Sequence, residues 1–281
     1  MSAYPLELHT ISVDVPAPVA RRLRIFNLVM GVLHLVSGSA MLALSNDFSL
    51  QVSTFALNGP PGTPVSQGVA NLVFDVPLGF ATASFLLLSA LFHFLIASPW
   101  GFRRYVGELS KGRNRFRWVE YSLSSTLMIL LISLLLGISD IAALIGLGLA
   151  NVAMILFGWL MEMSNNGLMH GASGRSVRGG RAWWTPFWFG CIAGIGPWLA
   201  AAVYLIINVG IEGGEGPPGF VYGIIVSLFV FFNSFAVNQW LQYKQVGRWS
   251  NYLTGERAYI VLSLIAKSLL AWQVFANVLV G

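Results

Sequence analysis

Apolar positions along this chain neither alternate, as in a half-buried strand, nor fall on a single helical stripe. They run almost unbroken in seven blocks, at about 26–44, 77–97, 118–138, 141–161, 186–209, 218–242 and 258–280. At 1.5 Å of rise per residue each block can cross a hydrocarbon core of ~30 Å as a helix. The pattern therefore predicts an all-α membrane protein: a bundle of seven transmembrane helices over 26–281, preceded by a segment 1–25, with no room for a separate soluble domain. Two connections are long. The first, "SNDFSLQVSTFALNGPPGTPVS", alternates and then turns at Asn-Gly-Pro-Pro-Gly, which predicts a short β-hairpin over one face of the bundle. The second, "NNGLMHGASGRSVRGGR", is glycine-rich and predicts a mobile connection. No internal repeat of fixed period is visible.

Composition agrees with the pattern. Hydrophobic residues make up 56% of the chain, charged residues only 10%, and the mean hydropathy is +0.71, far from a soluble domain. Of the 16 lysines and arginines, fifteen fall on one side of a seven-span arrangement: Arg21, Arg22 and Arg24; Arg103, Arg104, Lys111, Arg113, Arg115 and Arg117; Arg175, Arg178 and Arg181; Lys244, Arg248 and Arg257. The opposite connections carry only acids, Asp47, Asp75, Asp140, Glu212 and Glu215. Positive residues stay in the cytoplasm, so the N-terminus is expected inside and the C-terminus outside a cell membrane. The basic balance thus reports topology; nucleic-acid binding would need a basic face on a soluble surface. Glu7, Asp14 and three prolines in the first twenty residues do not resemble the cationic start of a cleaved signal, so the first span is expected to act as an uncleaved anchor. The single cysteine, Cys191, allows no internal disulfide and is expected to be an inert packing residue.

Two full charges stand inside the predicted spans: Lys267 in "YIVLSLIAKSLLAWQVF" and Glu120 in "FRWVEYSLSS". A charge in hydrocarbon is costly and needs a named partner, and each is the obvious partner of the other. Lys267 lies about nine residues, ~13 Å, from the inner end of its predicted span. Three readings are open on spacing alone: snorkelling to the interface, a structural ion pair, or a desolvated amine able to form a Schiff base with a carbonyl ligand, with Glu120 as counterion. Neighbours favour the third. Ser263 is one turn before Lys267 on the same face. Glu120, Ser124, Met128 and Leu131 form a stripe that passes from polar to apolar, suited to a long hydrocarbon ligand with one charged end. Asn151, Met154, Ile155 and Gly158 on the fourth span, with Phe229, Phe232 and Phe235 on the sixth, are candidates to line the apolar part, and Tyr121 and Gln239 complete the set. His34 and His93, on consecutive spans, suggest a small polar cavity able to hold water and accept a proton. They do not suggest a metal site, since no third ligand lies near either.

At these residues the chain resembles the heliorhodopsins, a family of retinal proteins inverted relative to the familiar microbial rhodopsins. The similar stretches are "LNGPPGT", "LSALFHF", "FRWVEYSLSS", "MILFGW", "PFWFGCIAGI", "PGFVYGII", "FFNSFA" and "GERAYIVLSLIAKSLLAWQ". The resemblance implies that Lys267 carries all-trans retinal, that Glu120 is the counterion and that Ser263 hydrogen-bonds near the Schiff base. It also implies a cytoplasmic-side polar cavity containing His34 and His93, and a homodimer. The function expected is light sensing by a non-enzymatic photoreceptor, read by a cytoplasmic partner, without net ion pumping. A proton pump stages carboxylates along its path, and here the predicted spans offer one, Glu120. The alternatives are a light-driven ion transporter, and a transporter or receptor without pigment in which Lys267 and Glu120 form a gating pair.

Overall fold

The computed structural model describes residues 15–165, 182–209 and 218–279. Residues 166–181 of the predicted glycine-rich connection, with Arg175, Arg178 and Arg181, residues 1–14 of the N-terminal segment, with Glu7 and Asp14, and Glu212 and Glu215 lie outside the described residues. Among these residues are α1 (Ala17–Leu44), strands β1 (Ser49–Leu57) and β2 (Gly68–Pro77), α2 (Leu78–Ala97), α3 (Pro99–Leu109), α4 (Arg115–Leu135), α5 (Ile141–Ser164), α6 (Thr185–Val209), α7 (Gly219–Tyr243) and α8 (Tyr252–Val274). Seven of the helices, all but α3, are long and apolar enough to cross a membrane. Large apolar side chains such as Val36, Phe80, Ile145, Leu149, Ile192, Ile206 and Val226 point away from the bundle, as lipid contact requires. A helix satisfies its backbone internally, the condition for lying in hydrocarbon.

Helix ends follow local chemistry. Pro16 precedes α1, which begins well before the predicted limit at 26, so Arg21, Arg22 and Arg24 ride on its first turns. Asn114 caps α4 by accepting from Arg117 N at 3.2 Å. Asp140 caps α5 through Ala142 N and Ala143 N at 3.0 and 3.1 Å, and Asn251 caps α8 through Leu253 N at 2.9 Å. Each side chain meets backbone donors that the first turn leaves unpaired. The last span also starts earlier than the pattern predicted and ends in a π-helical turn over Phe275–Leu279. Measured from Tyr252, Lys267 is about fifteen residues deep, ~22 Å rather than ~13 Å. That depth removes the snorkelling reading, since the side chain is far shorter than the climb.

The predicted hairpin is present, and its strands are longer than a short hairpin implied: β1 pairs antiparallel with β2 from Ser49↔Pro77 to Leu57↔Gly68. The register shifts between Val52 and Ser53. There Ser53 turns outward to the α4–α5 turn, donating its N–H to Ser139 O at 2.9 Å and placing its hydroxyl 3.0 Å from that of Ser139. The extra residue of this bulge is Val73 on β2, since Val52 pairs with Phe74 and Ser53 with Leu72; a bulge bends the strand locally. The hairpin end of the bundle is thereby strapped to α4 and α5.

The opposite, basic end carries α3, an element the apolar pattern did not reveal. Ser98 caps it by accepting from Gly101 N at 3.0 Å, and Pro99 fills its first turn, a favoured start. It buries Gly101, Tyr105, Glu108 and Leu109 and leaves Trp100, Arg103 and Arg104 outside.

Candidate functional site

Lys267, Glu120 and Ser263 come together as expected. The Lys267 ammonium donates to Glu120 Oε1 at 2.6 Å, to Ser263 Oγ at 2.9 Å and to Ser89 Oγ at 2.7 Å. Its three donors are thus filled, and it is 3% exposed. Ser89 on α2 is a partner that sequence reasoning missed. A serine in an apolar helix is common, and nothing in its own spacing marks it.

One side of the amine opens on a cavity of about 230 Å³ between α4, α5, α6, α7 and α8. Lys267, Ser263, Tyr121, Ser124, Met128, Met154, Ile155, Gly158, Phe229, Phe232, Phe235 and Gln239 line it. Asn151 does not: its amide donates to Ser125 Oγ and Thr126 Oγ1 at 2.8 and 2.9 Å, tying α5 to α4. An amide so buried is held by its partners and turned away from an apolar lumen. Glu120 faces the other way, into a smaller polar pocket. Walls unforeseen from the sequence are Trp118 and the α6 residues Pro186, Phe187, Gly190, Gly194 and Trp198. Cys191, expected to be packed, is exposed and also lines the cavity.

Two glycines hold the walls close. A Cβ on Gly158 would strike the Trp118 ring, and one on Gly194 would strike the Met154 side chain. The small-residue spacing at Gly190 and Gly194 therefore serves contact between α5 and α6 within the chain. An elongated apolar ligand with a carbonyl end fits this arrangement: the wall is aromatic and aliphatic, and the amine stands at the polar edge.

Toward the basic end lies the smaller pocket of about 30 Å³, lined by Asn27, Ser89, His93, Asn114, Arg117, Glu120, Tyr121, Glu256 and Ser263 among others. His93 Nδ1 is 2.9 Å from Asn27 Oδ1. His34 stacks on His93 with ring centroids 5.6 Å apart, is fully buried, and neither of its ring nitrogens has a protein partner. The predicted pairing of the histidines is present, but only His93 lines the polar pocket.

Beyond it is a group of charges just outside the predicted span limits, of which the sequence reading named only Arg117, as a connection residue. Arg117 donates to both Glu162 and Glu256, and all three side chains are at most 2% exposed. Glu162 also accepts from Trp118 Nε1, from Asn114 N at 3.0 Å and from Tyr252 OH at 3.0 Å. Glu256 accepts from Asn114 Nδ2 at 2.8 Å and Tyr105 OH at 2.9 Å. The expectation of only two charges within the spans is corrected: α4, α5 and α8 bring in three more that are buried, Arg117, Glu162 and Glu256. A charge at a span limit reads as solvated, because a hydropathy edge cannot show which way a side chain points. The signal available was the pairing of one cation with two acids, each one turn or less from a span end.

Past Lys267 toward the hairpin the interior changes character. Met41, Leu78, Phe85, Leu86, Met128, Ile129, Ile132, Leu228, Leu270 and Val274 form one buried apolar cluster. Among the described residues, the buried polar side chains on the hairpin side of Glu120 include Ser124, Asn151, Thr82 and Ser133, and none of these is ionisable.

The fold is shared with solved rhodopsins. The chain is similar to the light-driven proton pump of Leptosphaeria maculans (TM-score 0.57, 17% identity, covering 95% of this chain and 96% of that one). It is similar also to the transmembrane domain of the Salpingoeca rosetta rhodopsin phosphodiesterase (TM-score 0.61, 12% identity, 95% and 90%). A third is cyanorhodopsin N4075R of Tolypothrix sp. NIES-4075 (TM-score 0.52, 12% identity, 91% and 94%). At these identities the likeness shows the fold alone. No curated protein matches by sequence. The sequence model of the heliorhodopsin family matches residues 23–279, a stretch that contains the lysine, its carboxylate and the lining of both cavities, and the chain belongs to that family.

Proposed function

We propose that this retinal protein is a light sensor in which all-trans retinal is joined to Lys267, and that it signals by helix rearrangement without net ion transport. When bound, retinal supplies a polyene that isomerises on absorbing light, changing the shape and proton affinity of its link to the lysine nitrogen. The chain's own residues do the rest. Glu120 holds a compensating charge beside that nitrogen, while Ser89 and Ser263 fix its direction. Trp118 forms cavity wall on one side and donates to Glu162 on the other, so displacement of the wall loads the Arg117 group. The basic end is placed in the cytoplasm by the positive-inside rule, where a signalling partner would read it, and the homodimer implied by the resemblance belongs to the same reading.

The observation that carries the proposal is the asymmetry of the interior about Lys267. Titratable and hydrogen-bonding groups continue from the lysine to the basic end, whereas the way to the hairpin is closed by the apolar cluster. A proton released at Lys267 can move toward His93 and return the same way. Vectorial transport needs switched groups on both sides. The buried Glu162 and Glu256 add acids that a pump would welcome, but both are bound to Arg117 and lie on the same side as the histidines.

The test combines pigment and transport. Purified protein given all-trans retinal should show a visible band that hydroxylamine bleaches under illumination, and Lys267→Ala should remain colourless. Vesicles carrying the pigment should show no sustained light-induced pH change. A protonophore-sensitive signal would establish the transporter reading, and a visible band in Lys267→Ala would remove the lysine from its role.

A further inference from the structure

On the lipid-facing side of the basic end, α2, α3 and α4 enclose an open cleft of about 750 Å³. Its lining falls into two zones. Phe92 and Leu95 from the last turns of α2, with Phe116 and Val119 from the first turns of α4, form an apolar wall at the edge of the hydrocarbon. Above them stand Arg104 and Lys111, with Arg115 beside Glu108. We propose that this cleft is a binding site for one anionic phospholipid, its phosphate held by Arg104, Lys111 and Arg115 and an acyl chain laid along the apolar wall.

Charge decides the occupant. Glu108 is the acid of the cleft, and it is already engaged by Arg115 at 2.6 and 2.9 Å and by Arg113 at 2.8 and 3.2 Å. Arg115 remains 56% exposed at its side chain. Arg104 has no carboxylate partner among the described residues; its guanidinium lies over the Trp100 ring, 3.8 Å from the centroid. Lys111 has no ion pair among the described residues either. The cleft is left with a positive surplus at headgroup depth, next to a half-exposed tryptophan at the place where such rings anchor helices to the interface. A water-soluble anion would satisfy the cations and leave four apolar side chains without a partner; a neutral lipid would do the reverse. An anionic phospholipid satisfies both zones, and cationic clusters beside membrane helices attract such lipids.

The test is native mass spectrometry of the full chain in detergent, titrated separately with dioleoylphosphatidylglycerol and dioleoylphosphatidylcholine. One phosphatidylglycerol should bind more tightly than any phosphatidylcholine. In Arg104→Gln/Lys111→Gln, which removes one exposed and one half-buried charge, neither in an ion pair among the described residues, the affinity for phosphatidylglycerol should fall about thirtyfold, from the attraction per basic residue. Arg21→Gln/Arg22→Gln, with the same loss of charge elsewhere on the basic end, should stay within about twofold of the parent. Val119→Trp fills the apolar half, leaves every charge in place and should weaken binding severalfold. Equal affinity for the two lipids, equal losses in the two double variants, unchanged binding in Val119→Trp, or displacement by inorganic phosphate or a soluble acidic peptide would each overturn the proposal.

Discussion

Replacing Arg117 with methionine keeps most of the side-chain volume and removes the charge, which strands Glu162 and Glu256 in an interior where both are at most 2% exposed. Breaking a buried ion pair by removing one partner costs about 3–5 kcal/mol. The structure argues for the lower end despite two acids, because Glu162 keeps Trp118, Asn114 and Tyr252, and Glu256 keeps Asn114 and Tyr105. For a chain of this size ~3 kcal/mol corresponds to a fall in Tm of order 10 °C. Intrinsic tryptophan fluorescence during heating in detergent measures it. The companion variant Arg117→Met/Glu256→Gln tests the cause: one stranded charge is gone and the other retains three donors, so more than half of the lost stability should return. A fall below about 2 °C in the single variant, or no recovery in the double, would refute the view that uncompensated charge is what Arg117 prevents.

Glu120→Gln removes the negative charge 2.6 Å from Lys267 Nζ; the visible band should move to longer wavelength, and an unchanged spectrum would exclude the counterion role. Ala at both His34 and His93 should alter the rise or decay of the deprotonated photoproduct in flash experiments, the double change being needed because the stacked rings can substitute for each other. Gly158→Val drives a methyl into the Trp118 ring, so it should cost about 1–3 kcal/mol and lower the yield of pigment; a normal yield would show that the wall gives way. At Glu108 burial pushes the carboxyl upward, but the hydrogen bonds from Arg115 and Arg113 outweigh it and hold it below the usual carboxylate range. A depressed pKa contributes stability that is present above the unfolded value and lost as pH falls through the folded one. Glu108→Gln should therefore melt lower than the parent at neutral pH and approach it in acid, and a gap constant with pH would contradict the assignment.

The features legible in the sequence are those written in long runs or in isolation. Seven spans follow from unbroken hydrophobicity, the hairpin from alternation before Asn58-Gly59, and the contact of Lys267 with Glu120 and Ser263 from the rarity of charge in hydrocarbon. What was not legible lies at boundaries or depends on direction. α3 is short and amphipathic, so a search for apolar runs passes over it. Arg117, Glu162 and Glu256 sit where hydropathy falls off, and only packing of α4, α5 and α8 shows that they turn inward. Asn151 shares a helix with Met154, Ile155 and Gly158, yet its two hydroxyl partners on α4 take it out of the cavity. Ser89 gave no sign, because its role comes from the amine it meets on a helix far along the chain.

α4 and α5 are built like a beam fixed at both supports, by the Ser53–Ser139 strap at one end and the Arg117 group at the other. A load applied at mid-span, where Met128 and Met154 face the cavity, meets a beam held at both ends. α6 closes the same cavity with its polar fixing confined to its entry, where Trp183 N–H donates to Asn165 Oδ1 at 2.7 Å and Asn165 Nδ2 donates to Trp183 O at 3.1 Å; among the described residues of the helix itself no side chain makes a hydrogen bond or ion pair with another helix. It rests on Met154 through Gly194, on Phe157 through Phe189, and on Phe229 and Phe232 through Trp198. Dispersion contacts have shallow wells and little directional preference, so this seam is a slip plane. Along the cavity wall the far part of α6 can shift on this seam about its pinned entry at Trp183 without breaking a side-chain hydrogen bond to another helix.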